Sequence, residues 1–184
     1  MRIHAMWIDI PEDLRQMLEP GERILWYGKP ARVPYTVRHL AILPFVLFMM
    51  ILPAPFILAS DALKHLPVIA FFALWYGSLG LIGFGPVIYA LLAWKNVYYV
   101  VTNRRVIERR GVVGIDYSAL DLDLIQHVDV DVGFWDKKYG TGTITVSAVG
   151  LKPIVLLSVE RPREVYAIIR RAVEERRRSR QESG

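Results

Sequence analysis

Two stretches without a single ionisable side chain set the strongest limit on what this chain can fold into. Leu40–Ser60 reads LAILPFVLFMMILPAPFILAS and Leu66–Trp94 reads LPVIAFFALWYGSLGLIGFGPVIYALLAW; neither holds an Asp, Glu, Lys, Arg or His. As a helix the first run is about 31 Å long, matching the roughly 30 Å hydrocarbon core of a bilayer, and the second exceeds one perpendicular crossing. A helix in a soluble fold needs a polar face, and a chain of 184 residues has too little protein to bury two such helices on all sides. The sequence therefore reads as an integral membrane protein with a transmembrane helical hairpin. A secretory signal peptide fits poorly, because about forty mixed, charged residues precede the first run.

Charge placement orients the hairpin. The intervening Asp61–His65 carries one acid and one base, Asp61 and Lys64. Arg23, Lys29, Arg32 and Arg38 precede the first run, and Lys95, Arg104, Arg105, Arg109 and Arg110 follow the second. The positive-inside rule then gives a two-pass protein of the cell membrane with both termini cytoplasmic. Trp94 marks the cytoplasmic interface, and Trp75 and Tyr76 lie about 28 Å earlier along a helix. The second helix is thus expected to cross between Trp75 and Trp94, with Leu66–Leu74 tilted or lying in the outer interface. Pro53, Pro55 and Pro86, with Gly83 and Gly85, are expected to bend or break the helices. Gly77, Gly80 and Gly83 make no strict GxxxG, and ordinary glycine usage in membrane helices accounts for them. No charge lies inside either helix to relay protons or hold a substrate, which argues against a transporter or pump.

After Trp94 the pattern changes to short strands. Asn96–Thr102 and Val106–Val113 flank the turn-forming Asn103-Arg104-Arg105; Leu120–Leu124 and Val128–Val132 alternate Leu or Val with Asp; Thr143–Val149 and Ile154–Val159 follow. The chain closes on an amphipathic helix begun by Pro162, with Val165, Ile168, Ile169, Ala172 and Val173 on one face. About six strands and one helix imply a bent sheet or barrel capped by that helix. Glu22–Tyr27 also reads as a strand, free to pair with this sheet because it lies on the same side of the membrane.

Several motifs occur together in order. LEPGERILWYGKPAR (Leu18–Arg32) precedes the helices; YYVVTNRRVIERRGVVG, LDLDLIQHVDVDVGFWDKKYGTGTITV and RPREVYAIIRRAVEER follow them. In these motifs the chain resembles the bacterial PH domain family of the second type, a membrane-associated group. The resemblance implies a membrane α-helical hairpin joined to an α+β, PH-like bent β-sheet or barrel capped by one C-terminal helix. The expected layout is residues 1–39 as a cytoplasmic N-terminal segment with a short helix and strand, 40–94 as the hairpin, 95–178 as the PH-like cytoplasmic domain and 179–184 as a tail. The resemblance implies no catalytic residues.

Reactive chemistry is sparse. The chain has no cysteine, so disulfides, thiolate nucleophiles and cysteine-ligated metals are excluded. His4, His39, His65 and His127 form no metal-spaced pair, and there is no P-loop, G-x-S-x-G or helix-opening G-x-G-x-x-G. The Gly-x-Gly of Gly140–Gly142 lies between strands and reads as a tight turn. Asp121, Asp123, Asp129 and Asp131 read as solvated strand faces rather than a cation site. No cofactor, metal or catalytic residue is assigned.

The candidate site is a headgroup-facing basic patch, Arg104, Arg105, Arg109 and Arg110, just after the second helix. Eukaryotic PH domains bind phosphoinositide headgroups through this hairpin, so a specific pocket is one reading. The favoured reading is diffuse attraction to anionic lipid, about 1 kcal/mol per basic residue near the surface. A net charge of +5 fits the same surface, with lipid headgroups rather than nucleic acid as the anionic partner. The expected function is a non-enzymatic, membrane-anchored binding or scaffolding module that engages a protein partner, its own copies or anionic lipid. The alternative is an accessory subunit of a larger membrane complex or transporter.

Overall fold

The computed structural model describes residues 10–59 and 64–182; readings that fall on His4, Asp61 or the last two positions lie outside the described residues. In chain order the elements are α1 (Glu12–Gln16), β1 (Ile24–Gly28), α2 (Arg32–Val37), a 3-10 segment (Arg38–Ile42), α3 (Leu43–Ile51), α4 (Ala54–Ala59), α5 (Leu66–Trp94), β2 (Tyr98–Thr102), β3 (Arg105–Arg110), β4 (Asp116–Asp121), a 3-10 turn (Leu122–Leu124), β5 (His127–Asp131), α6 (Phe134–Tyr139), β6 (Thr141–Ser147), β7 (Ile154–Glu160) and α7 (Pro162–Glu182).

The two apolar runs form two helical stretches, Arg32–Leu58 and Leu66–Trp94, each long and apolar enough to cross a membrane. The first is interrupted between α3 and α4 at Pro53, which has no N–H to continue the ladder. Pro86 differs from expectation: α5 runs unbroken through it for 29 residues. A lone interior proline removes one hydrogen bond, and the flanking apolar turns hold the helix on either side. Of the three spaced glycines, Gly83 makes a packing contact, since a side chain there would meet Val46 Cγ1 at 3.2 Å, while Gly77 and Gly80 face open space. Tyr76 Oη donates to the Met50 carbonyl at 3.1 Å, near the end of α3 where carbonyls lack helical donors.

The strands make two antiparallel sheets, β1-β2-β3-β4 and β5-β6-β7, closed by α7. Between them lies the core, with Tyr99, Val101, Leu122, Ile144, Leu156 and Ile169 all buried. β2 is buried on both faces. Tyr99 and Val101 point into the core, while Val100 pairs with Ile107 on the outer face under Ile10 and Leu14. That explains why Val97–Val101 reads as a continuous apolar run, since a strand covered on both sides needs no polar face.

Four expectations are corrected. The Glu22–Tyr27 strand does pair with the later sheet, as β1 against β2 with Tyr27 opposite Val100, so the domain expected over 95–178 takes in residues from before the helices, and α1 covers its outer face. The tail expected at 179–184 is helical through Glu182, because α7 continues. The Leu120–Leu124 alternation is not one strand. Leu120 and Asp121 end β4, and Leu122–Leu124 form the 3-10 corner where the chain leaves the first sheet, with Leu122 buried and Leu124 exposed. On α7 the capping stripe centres on Ile169, fully buried, while Ile168 is only partly covered. The helix α6 was unanticipated; Gly140 ends it in the left-handed conformation at φ 67°, which fits the residue without a Cβ.

Candidate functional site

The β2–β3 hairpin carries the four arginines, and its register separates them. Tyr98, at the start of β2, pairs with Arg109, whereas Arg104 and Arg105 lie at the turn, one strand length from the end of α5. At about 3.3 Å per residue that is a separation of roughly 15 Å.

Three of the four arginines meet acids of the N-terminal segment. Arg105 grips Glu22 through Nε at 3.1 Å and Nη2 at 2.9 Å. The Glu22 side chain is fully buried, and the Arg105 side chain is 18% exposed. Thr102 Oγ1 and the Glu19 amide also donate to Glu22, at 2.7 and 2.9 Å. Arg104 pairs with Glu19 at 2.5 Å. Arg109 Nε donates to Asp13 at 2.7 Å, and Tyr117 Oη donates to the same carboxylate. Arg110 sits beside Glu108 at 3.7 Å with nearly half its side chain exposed. Burial alone would push the Glu22 and Asp13 carboxyls up, but these donors outweigh it and hold both below the ordinary carboxylate range. Burial does raise the Glu108 carboxyl, despite Arg110. The missed signal was in the N-terminal sequence, where Asp13, Glu19 and Glu22 supply counter-charges for the hairpin.

A second basic cluster collects where β1, the start of α2 and the end of α5 meet. Lys29 Nζ lies over the rings of Trp94 and Tyr98, 4.7 and 4.3 Å from their centroids, and donates to the Lys95 carbonyl at 3.1 Å. Arg32 stacks on the Trp94 ring at 5.5 Å. Trp94 Nε1 donates to the Pro30 carbonyl at 2.7 Å, so the indole joins the two roots of the helical hairpin. Gly28 is needed at this junction, because a side chain there would strike the Trp26 ring at 2.5 Å. A cleft of about 540 Å³ opens between this cluster and the start of α7, lined by Trp26, Lys29, Arg32, Trp94, Arg161 and Glu164 among others. Tyr27 and Glu160 line it as well, and the contacts that mark it are cations on aromatic faces. The acidic alternation contributes elsewhere: Asp121, Asp129 and Asp131 are exposed, and Asp123 pairs with Arg176 at 3.3 Å. Among the described residues no three metal-ligating side chains converge.

Two antiparallel sheets closed by a C-terminal helix form a PH-like domain. The family model described as Bacterial PH domain matches residues 39–173, most of the chain, and the protein belongs to that family. The acidic N-terminal segment and β1 precede the matched range. A similar solved structure is that of a DUF1696 family protein with a pleckstrin-homology domain from Shewanella loihica PV-4, at 21% identity and a TM-score of 0.34, covering 42% of this chain and 70% of that one. The fold assignment rests on the family match rather than on this likeness. No curated protein matches the chain.

Proposed function

We propose that this protein is a membrane-anchored binding module, in which a two-span hairpin holds a PH-like domain against the cytoplasmic leaflet and catalysis plays no part. The observation that carries the reading is how little of the helical hairpin the rest of the chain covers. Only 6% of the most apolar window of Arg32–Leu58 and 17% of that of Leu66–Trp94 is buried, whereas a core helix of a soluble protein would be largely covered. α5 is about 43 Å long as a helix, so it crosses a roughly 30 Å core with a strong tilt or with its first turns in the outer interface.

Both helices root at the cluster of Lys29, Arg32, Trp94 and Lys95, residue types that favour the headgroup level. On this reading both chain ends lie on the cytoplasmic side. It also assigns anionic headgroups to Arg32, Lys95 and Arg110, which are exposed, rather than to Arg104, Arg105 and Arg109, which are spent on Glu19, Glu22 and Asp13. Lipid contact is then diffuse and salt-sensitive, and the rest of the domain surface is left for a protein partner or further copies. The test is extraction: membranes carrying the full chain, washed with alkaline carbonate, should retain it. Release into the wash would overturn the anchored reading.

A further inference from the structure

Of the exposed apolar tips of the PH-like domain, which include Val149 and Leu151 at the β6–β7 turn, two are each tied to the root of one of the two long helices. The first is the β3–β4 turn, Gly111–Ile115, which holds no charge. Val113 is fully exposed at 103% and Ile115 is 45% exposed. Asn96, two residues beyond α5, fixes this turn in place: its Nδ2 donates to the Gly111 carbonyl at 3.1 Å, and its own carbonyl accepts from Arg109 Nη1 at 2.9 Å. Gly111 is required in this turn, because at its φ of 147° the Gly114 carbonyl occupies the space a side chain would take. Arg110 and Asp116 flank it as a register pair, with Tyr117 alongside.

The second tip is α6. Phe134 is 80% exposed beside Val132, and Lys137 and Lys138 follow on the surface. Its buried Asp136 accepts from Thr141 Oγ1 at 2.7 Å and faces Arg38 at 3.9 Å. Arg38 stands two residues before the first uncharged run begins.

We infer that Val113 with Ile115, and Phe134 with Val132, are two feet that insert into the headgroup–acyl boundary of the leaflet through which the hairpin passes. The inference rests on the membrane-anchored reading and extends it from a tether to a fixed pose. Exposed apolar side chains flanked by Arg, Lys and Tyr are the composition that settles at this depth, the apolar part inserted and the charged ends in the headgroups. A soluble domain gains nothing from leaving a valine tip and a phenylalanine bare at the end where its own membrane helices leave. Together with the hairpin itself, two feet on two different helix roots fix the pose of the domain on the leaflet. Leu124, also exposed, lies at the other end of the sheet, at the corner next to Asp121, which pairs with Arg105.

The chain's lack of cysteine permits a direct test. Single-cysteine variants Val113→Cys, Phe134→Cys, Leu124→Cys and Ile82→Cys of the full chain are labelled with an environment-sensitive fluorophore. They are then reconstituted in vesicles of phosphatidylcholine and phosphatidylglycerol carrying nitroxide lipids. All four positions are exposed within the chain, so labelling leaves the core intact. Labels at 113 and 134 should be blue-shifted and quenched by shallow nitroxides at least about threefold more than the label at 124, with the label at 82 quenched by deep ones. If 82 is quenched but 113 or 134 matches 124, the two-footed pose is wrong and the anchor stands. If 82 is unquenched, the membrane reading itself fails. A blue shift at 113 and 134 without quenching would put protein, not lipid, over the feet and would also overturn the inference.

Discussion

The Arg105–Glu22 pair joins the segment before the two long helices to the sheet after them, and Arg105→Ala should measure how much that joint holds. The substitution leaves the Glu22 carboxylate, whose side chain is fully buried, with only Thr102 and the Glu19 amide as donors. Removing one partner of a buried pair costs about 3–5 kcal/mol; one edge of Arg105 reaches solvent, so about 2–4 kcal/mol is expected. The loss should be local, because β1 contacts the sheet along β2 alone. Amide exchange in β1, read by mass spectrometry on the full chain in nanodiscs, should accelerate by about thirty-fold to several hundred-fold, with β6 and β7 little changed. Arg105→Lys, which keeps the charge but loses the two-pronged grip, should fall between. Adding Glu22→Gln to Arg105→Ala should restore most of the protection by removing the orphaned charge. An acceleration under about twofold, or a double variant whose loss equals the sum of the singles, would refute the clamp.

Three further outcomes follow from the same packing. Ile169→Asp, at the fully buried centre of the α7 stripe, should cost several kcal/mol and abolish protease resistance of the domain, whereas Arg171→Asp on the exposed face should be mild; equal effects would mean that α7 does not cap the core. Glu22 and Asp13 have folded pKa values below their unfolded ones, so their stabilisation is full at neutral pH and is lost as the pH falls through those depressed values. A spin-label distance between Arg15→Cys on α1 and Ala119→Cys on β4 should broaden as the two carboxyls are protonated, and a distance unchanged once both are protonated would contradict it. Gly83→Leu should push α3 from α5 at Val46 and loosen the hairpin, while Gly80→Leu, facing open space, should not; a proximity crosslink between the helices reads the difference.

Much of the fold was legible because two signals are local. Uncharged runs of helical length announce themselves without any partner, and alternation with turn residues marks β3, β5, β6 and β7 nearly in place. What was not legible depends on distant residues. Val100 and Ile107 gave no hint that α1 covers them, and the Leu-Asp alternation at Leu120–Leu124 could not show that the chain turns a corner there. The basic hairpin was visible, but its occupation by Asp13, Glu19 and Glu22 was not, since those acids lie more than 80 residues away in the chain. Lys29, Arg32 and Trp94 were visible as flank and interface residues; that they stack into one cluster is a product of tertiary packing.

Topology is the most direct test of the membrane-anchored account. His65, between the two long helices, and Arg180, near the end of α7, are both exposed within the chain. In intact cells a cysteine at His65 should react with a membrane-impermeant thiol reagent, and one at Arg180 should react only after the membrane is permeabilised. Reaction at Arg180 with protection at His65 would invert the protein and remove the PH-like domain from the cytoplasmic leaflet; equal behaviour of the two sites before permeabilisation, both reactive or both protected, would mean that α5 does not span.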